Sequence, residues 1–195
     1  MPVGSIPGVP NIPPATYARF KATLPALWAI KQRAAKWQQA RSAGVDMIVL
    51  HDTESLPHGN FDLCVKYFAD PVAFGDKKKS IHYLIGRDNG EIVAMVPEDR
   101  QAYHVGDPYN DRSIGIEMYK RKIDHGDFTE WQYSAVAQLV CDIRLRWGLP
   151  QSAVTSHDAL SVPKTDPRNF NWVSFEARVK ALFLRLRLVD PSLNL

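Results

Sequence analysis

The chain has 195 residues, which suits one ordinary domain with extensions, since single hydrophobic cores commonly serve about 100–200 residues. Its 45% hydrophobic and 23% charged content excludes a disordered or fibrous chain, and Cys64 and Cys141 alone exclude a disulfide-stapled one. A net charge of +3 is too small to single out a polyanionic partner.

Residues 1–14 carry Pro2, Pro7, Pro10, Pro13 and Pro14, a composition that blocks regular structure and reads as an arm. The start, Met1-Pro2-Val3-Gly4-Ser5, lacks the charged and then apolar pattern of a secretory signal. No apolar run approaches the roughly 18 residues of a membrane span, so a soluble protein made in the cytoplasm is expected. Over residues 15–44 the spacing of Phe20, Leu24, Leu27, Trp28 and Ile30 predicts one or two amphipathic helices, a helical extension ahead of the main domain at 45–195.

Residues 45–50 form a short β-branched run, the pattern of a strand buried on both faces, and it delivers His51 at its C-terminal end, where open sheets place ligands. Residues 61–69 read as a helix. Residues 81–85 and 92–96 flank Asp88-Asn89-Gly90, a hairpin signal because Asn-Gly tolerates positive φ. Residues 113–118 are a further strand. Residues 129–147 have helical spacing, a capping box (Thr129, Gln132) and a Gly148/Pro150 stop. Residues 155–172 look irregular, and 173–188 resume a helical, basic pattern.

Of the six histidines, His51 ends a buried strand, and His157 with Asp166 brackets Ser156-His157-Asp158-Ala159-Leu160-Ser161-Val162-Pro163-Lys164-Thr165-Asp166-Pro167. Two neutral imidazoles and a carboxylate can hold Zn²⁺ with its fourth tetrahedral position open, although spacing alone is a weak signal. His58 and His125 stand in glycine-containing loops, where exposure is expected. Lys77-Lys78-Lys79 and Lys120-Arg121-Lys122 lack any recognition helix or aromatic platform and read as solvated faces rather than a nucleic-acid site. The cysteines read as buried free thiols.

Several segments in one order carry a resemblance. His51-Asp52-Thr53, Ile81-His82-Tyr83-Leu84-Ile85, Arg87-Asp88-Asn89-Gly90, Ala102-Tyr103-His104-Val105-Gly106, Ser113-Ile114-Gly115-Ile116-Glu117, Ser156-His157-Asp158 and Pro163-Lys164-Thr165-Asp166-Pro167 resemble the type 2 N-acetylmuramoyl-L-alanine amidases. That family includes phage lysozymes of amidase type, cell-wall recycling amidases and peptidoglycan recognition proteins. The resemblance implies an α/β fold, a mixed central sheet flanked by helices behind the N-terminal helical extension, and a Zn²⁺ site of His51, His157 and Asp166. It places Glu117 as the acid/base glutamate and Lys164 as the lysine facing the transition state. It further suggests His82, His104 and Thr53 as substrate-binding, although a core imidazole is an equal reading of the two histidines. Asp52, Tyr83 and Asn110 are weaker groove candidates. Two departures from the phage lysozymes stand out: Asp166 where those have cysteine, and Ile81 where those have a catalytic tyrosine.

The expected activity is hydrolysis of the bond between N-acetylmuramic acid and L-alanine, as an endolysin-like or other wall-lytic enzyme acting on peptidoglycan or on cytosolic muropeptides, with a monomer favoured. A recognition module that binds the wall without cutting it is the first alternative. A peptidase acting within the stem peptide is the second, and it lacks a His-Glu-x-x-His signature. Before the resemblance, Glu117 reads equally as a solvated edge carboxylate.

Overall fold

The computed structural model describes residues 14–23, 30–53, 59–121, 124 and 127–191. The arm up to residue 13, and with it Leu24, Leu27, Trp28, His58, Lys122 and His125, lies outside the described residues. In chain order the elements are α1 (Pro14–Thr23), β1 (Lys31–Gln32), β2 (Gln39–Ala40), β3 (Met47–Asp52), α2 (Phe61–Ala69), β4 (Tyr83–Ile85), β5 (Ile92–Ala94), β6 (Arg100–Gln101), β7 (Ser113–Met118), α3 (Glu130–Trp147), β8 (Val154–Ser156), α4 (His157–Leu160) and α5 (Trp172–Val189).

The central mixed sheet has the order β1-β5-β4-β7-β3-β8, and β2 pairs with β6 in a separate ribbon. Strand β3 lies between β7 and β8 and is parallel to both, so it must be apolar on both faces, as its Ile48-Val49-Leu50 run is. The β3/β7 register sets His51 beside Glu117, and the β4/β7 register sets Leu84 beside Glu117 on the other side.

Because strand side chains alternate, these odd and even positions sort into two cores. Leu50, Ile116, Met118 and Ile85 face α3 and α5 in the larger one. Leu84 turns to the opposite face, where α2 supplies Cys64, Tyr67 and Phe68, and the strand register puts His51 and Glu117 on that face too. Both cysteines are free and buried.

Local signals explain the long elements. In α3 the Thr129 side chain accepts from the Gln132 backbone while the Gln132 side chain accepts in return, and Gly148 closes the helix at φ 68°. The β4/β5 hairpin is antiparallel, with Gly90 at φ 66° and its Cα against the Trp131 carbonyl, where an added Cβ would lie 2.7 Å from the oxygen.

Two expectations are corrected. Helix is present at Pro14–Thr23, but residues 30–43 are extended: the backbone N–H groups of Arg33 and Ala35 donate to the Ala94 and Met95 carbonyls at 2.9 Å each, so an open sheet edge captures a segment that lacks a helix cap. The stretch 155–172, read as irregular, holds most of β8 and all of α4, because pairing to β3 orders a segment too short to show a period. No helix among the described residues is long and apolar enough to cross a membrane.

Candidate metal centre

Three side chains converge at the C-terminal edge of the sheet. His51 comes from the end of β3, His157 opens α4 directly after β8, and Asp166 follows on the next loop, whose carbonyl accepts from the Asp158 backbone N–H at 3.1 Å. His51 Nδ1 lies 3.0 Å from His157 Nδ1 and 3.1 Å from Asp166 Oδ2, and His157 Nδ1 lies 3.0 Å from the same oxygen. A tetrahedral zinc with bonds of about 2.0–2.1 Å separates its ligand atoms by about 3.3 Å, so this triangle is close to one face of such a site. The donor set, two imidazoles and a carboxylate, also fits zinc with one position open.

Protonation states agree with that use. Burial pushes the His51 imidazole below the usual histidine range, against the opposing effect of the adjacent Asp166 carboxylate. Burial alone would raise the Asp166 carboxyl, but the adjacent His157 and His51 rings outweigh it and hold the group well below the usual carboxylate range. A neutral His51 needs its proton on Nε2 for Nδ1 to offer a lone pair. Nε2 sits 2.9 Å from His104 Nδ1, His104 Nε2 is 3.1 Å from Ser113 Oγ, and that hydroxyl donates to the Tyr109 carbonyl at 2.7 Å. Read from the carbonyl inward, this chain leaves one consistent arrangement, with His51 donating from Nε2 and presenting Nδ1.

The loop holding His104 is anchored by Asn110, whose Oδ1 accepts from the backbone N–H groups of His104, Val105 and Gly106. Gly115 makes room for the ring, since a Cβ there would fall 2.6 Å from His104 Nδ1.

Comparison with known proteins bears on this geometry directly. The family model Amidase_2, described as N-acetylmuramoyl-L-alanine amidase, matches residues 40–169. The chain belongs to that amidase family. It is 33% identical over 153 residues to the 1,6-anhydro-N-acetylmuramyl-L-alanine amidase AmpD of Citrobacter freundii, covering 68% of this chain and 80% of that protein. A crystal structure of a selenomethionine AmpD derivative superposes with TM-score 0.68 and 28% identity, over 80% of this chain and 98% of the other. The Escherichia coli amidase AmiD, solved in complex with the substrate anhydro-N-acetylmuramic acid-L-Ala-D-γ-Glu-L-Lys, matches with TM-score 0.55 and 27% identity over 72% of this chain and 60% of that one.

Glu117 stands in register with His51 on the neighbouring strand. It is 6% exposed, on an internal strand, so the reading as a solvated edge carboxylate does not hold. Burial raises its carboxyl well above the usual range, the Asp166 and Asp52 charges add to the effect, and Lys164 and Lys79 oppose it. Lys164 is exposed on the loop before Asp166, and its charge acts on both His51 and Glu117.

The three residues expected to touch substrate have internal partners. His82 is fully buried; its Nδ1 accepts from the Gly115 N–H at 3.0 Å, its Nε2 faces the Arg100 carbonyl at 3.0 Å, and burial with the nearby Arg41 guanidinium pulls its pKa down to about 3. That is a core imidazole. His104 orients His51 as described. The Thr53 hydroxyl donates to the Lys120 carbonyl and accepts from the Lys120 N–H.

Among the weaker candidates, Asp52, Tyr83 and Asn110 are all buried, and the Tyr83 hydroxyl donates to Glu98. Lys120, expected on a solvated face, is 1% exposed and ion-paired to Asp52 at 3.0 Å. Ser113 and Arg41 escaped the sequence reading. Gly115 between two isoleucines in a strand was the available sign that something approaches closely there.

Proposed function

We propose that this chain is a zinc-dependent amidase that hydrolyses the bond between the lactyl group of N-acetylmuramic acid and L-alanine. One observation carries the reading: His51 Nδ1, His157 Nδ1 and Asp166 Oδ2 lie within 3.1 Å of one another, and the strand register pairs His51 with a buried carboxyl residue, Glu117. When bound, zinc supplies Lewis acidity, lowering the pKa of a water to about 7 and polarising the scissile carbonyl. The chain's own residues do the rest. Glu117, its carboxyl raised above the usual range by burial, takes the attacking water's proton and returns it to the departing alanine nitrogen. The Lys164 ammonium faces the negative charge that develops on the carbonyl oxygen. His104 holds His51 in its ligating tautomer.

A full ligand triangle favours cleavage over recognition without cutting. The name carried by the 33% identical relatives specifies a 1,6-anhydro sugar, which favours soluble muropeptides over the polymer as substrate. The test offers the zinc-loaded protein both purified sacculi and a soluble anhydromuropeptide, with products read by mass spectrometry. Stem peptides beginning with a free L-alanine amine are expected. New reducing sugar ends, peptides cut internally, or binding without release would each overturn the reading.

A further inference from the structure

A second ion pair lies behind the metal centre, on the opposite face of the sheet. His51 and Asp52 are consecutive in β3, so their side chains leave by opposite faces. The Asp52 carboxylate is 3% exposed and the Lys120 side chain 0%. Lys120 Nζ donates to Asp52 Oδ2 at 3.0 Å and to the Arg168 carbonyl at 2.9 Å, while Asp52 Oδ2 also accepts from the Arg168 backbone N–H at 2.7 Å. The ammonium further sits 4.6 Å from the centre of the Phe128 ring. Acceptor and donor of the pair thus meet donor and acceptor of one peptide segment, two residues beyond Asp166.

Two buried charges are costly to desolvate, and a buried ion pair is weak evidence for stability by itself. Its geometry here is specific to the loop. Asp166 is fixed on its own carbonyl by Asp158 N–H, and the chain after it is fixed at Arg168 by Asp52 and Lys120. Thr53 adds a third tie, binding both backbone groups of Lys120 and so locking the ends of β3 and β7 together.

We propose that Asp52 and Lys120 are positioning residues that hold the Asp166 loop so that its carboxylate completes the His51/His157 triangle. The strand end that delivers one ligand therefore also registers another. The inference rests on the zinc reading above.

Its test is a double-mutant cycle on metal affinity. Zinc dissociation constants are measured by chelator competition for the wild type, Lys120→Met, Asp166→Ala and the double variant, with the folded state of each metal-free protein checked by circular dichroism. Outer partners of metal ligands commonly contribute about 10–100-fold to affinity, so Lys120→Met should weaken binding by that factor. In its background Asp166→Ala should then cost much less than in the wild type, because the carboxylate is already misplaced. The cobalt-substituted Lys120→Met protein should lose visible absorption as the carboxylate leaves the first coordination sphere. Should Lys120→Met fail to fold, Asp52→Asn, which keeps an acceptor for Arg168, takes its place in the same cycle. Additive losses, or an unchanged zinc affinity alongside a lowered melting temperature, would overturn the proposal. A wild type that binds no zinc would instead overturn the zinc reading.

Discussion

His51 and His104 meet edge to face, with His51 Nε2 2.9 Å from His104 Nδ1 and the ring centres 5.1 Å apart. This contact turns a ring that offers either nitrogen into one that presents Nδ1 to His157 and Asp166. A small change far from any reacting atom should therefore matter. Gly115→Ala, whose Cβ would meet His104 Nδ1 at 2.6 Å, and His104→Phe, which keeps a ring without an acceptor, should both weaken zinc binding about 10–100-fold. Isothermal titration would show it; unchanged affinity in both variants would mean that His51 is oriented by other contacts.

Removing the metal should abolish activity and spare most of the fold, because the sheet is closed by apolar packing on both faces and not by the ligands. A chelator is expected to stop product release and added Zn²⁺ to restore it, with the far-ultraviolet circular dichroism nearly constant. His51→Ala and His157→Ala should each behave as the chelated protein does. Full turnover by protein that elemental analysis shows to be metal-free would end the zinc assignment.

Glu117→Gln separates chemistry from binding. Zinc affinity should be retained, and kcat should fall about 10²–10⁴-fold, since an amide cannot accept the water's proton. Stability should move the other way. A carboxyl whose folded pKa is raised contributes stability that is complete below its unfolded value and is lost as pH rises toward the folded one. The metal-free Glu117→Gln protein should thus melt higher than the wild type at pH 7 and alike at pH 4. A variant that turns over normally, or is less stable at neutral pH, contradicts the buried-base assignment.

Lys164→Ala should keep zinc and fold, because the side chain is exposed, and should lose roughly 10²-fold in kcat with KM little changed if the ammonium engages only as charge develops. A rise in KM at constant kcat would make it a substrate-binding residue.

His82 should stay neutral far into acid. Its folded pKa, about 3, lies below the ordinary 6.5, so its contribution to stability is present above pH 6.5 and drains away as pH falls toward 3. At about 1.4 kcal/mol per unit the loss is of the order of several kcal/mol. Ring nitrogen shifts recorded by NMR on the metal-free protein should show an Nε2-protonated neutral ring at pH 5. Titration near 6.5 would show that the ring is hydrated.

The parts of this molecule that could be read from sequence share a physical basis. Residues 61–69 and 129–147 have caps and a period, and β7 matches its apolar run, so local signals suffice there. Likewise His51, His157 and Asp166, named from ordered motifs, are brought together. What could not be read depends on partners distant in sequence. The Lys120 run looks like any solvated charge cluster until Asp52, 68 positions away, is seen to neutralise it. His82 and His104 sit in similar motifs, and only the fold shows one facing backbone groups beneath Arg41 and the other facing His51. Residues 30–43 lost their expected helix to a sheet edge that no local pattern announces.

The pairing of β1 with β5 has a practical consequence for where this protein can be cut. The family match begins at residue 40, yet the sheet already begins at Lys31, and Ala35, 2% exposed, packs with the α2 core. Arg41 reaches the Glu98, Asp111 and Ser113 carbonyls and covers His82. An expression boundary drawn at residue 45 would strip β5 of its outer neighbour, leave its backbone groups as a sticky edge, and unseal the core imidazole. A fragment beginning before Ile30 should stay in solution where one beginning at 45 aggregates, making the smallest autonomous unit longer than its recognisable motif.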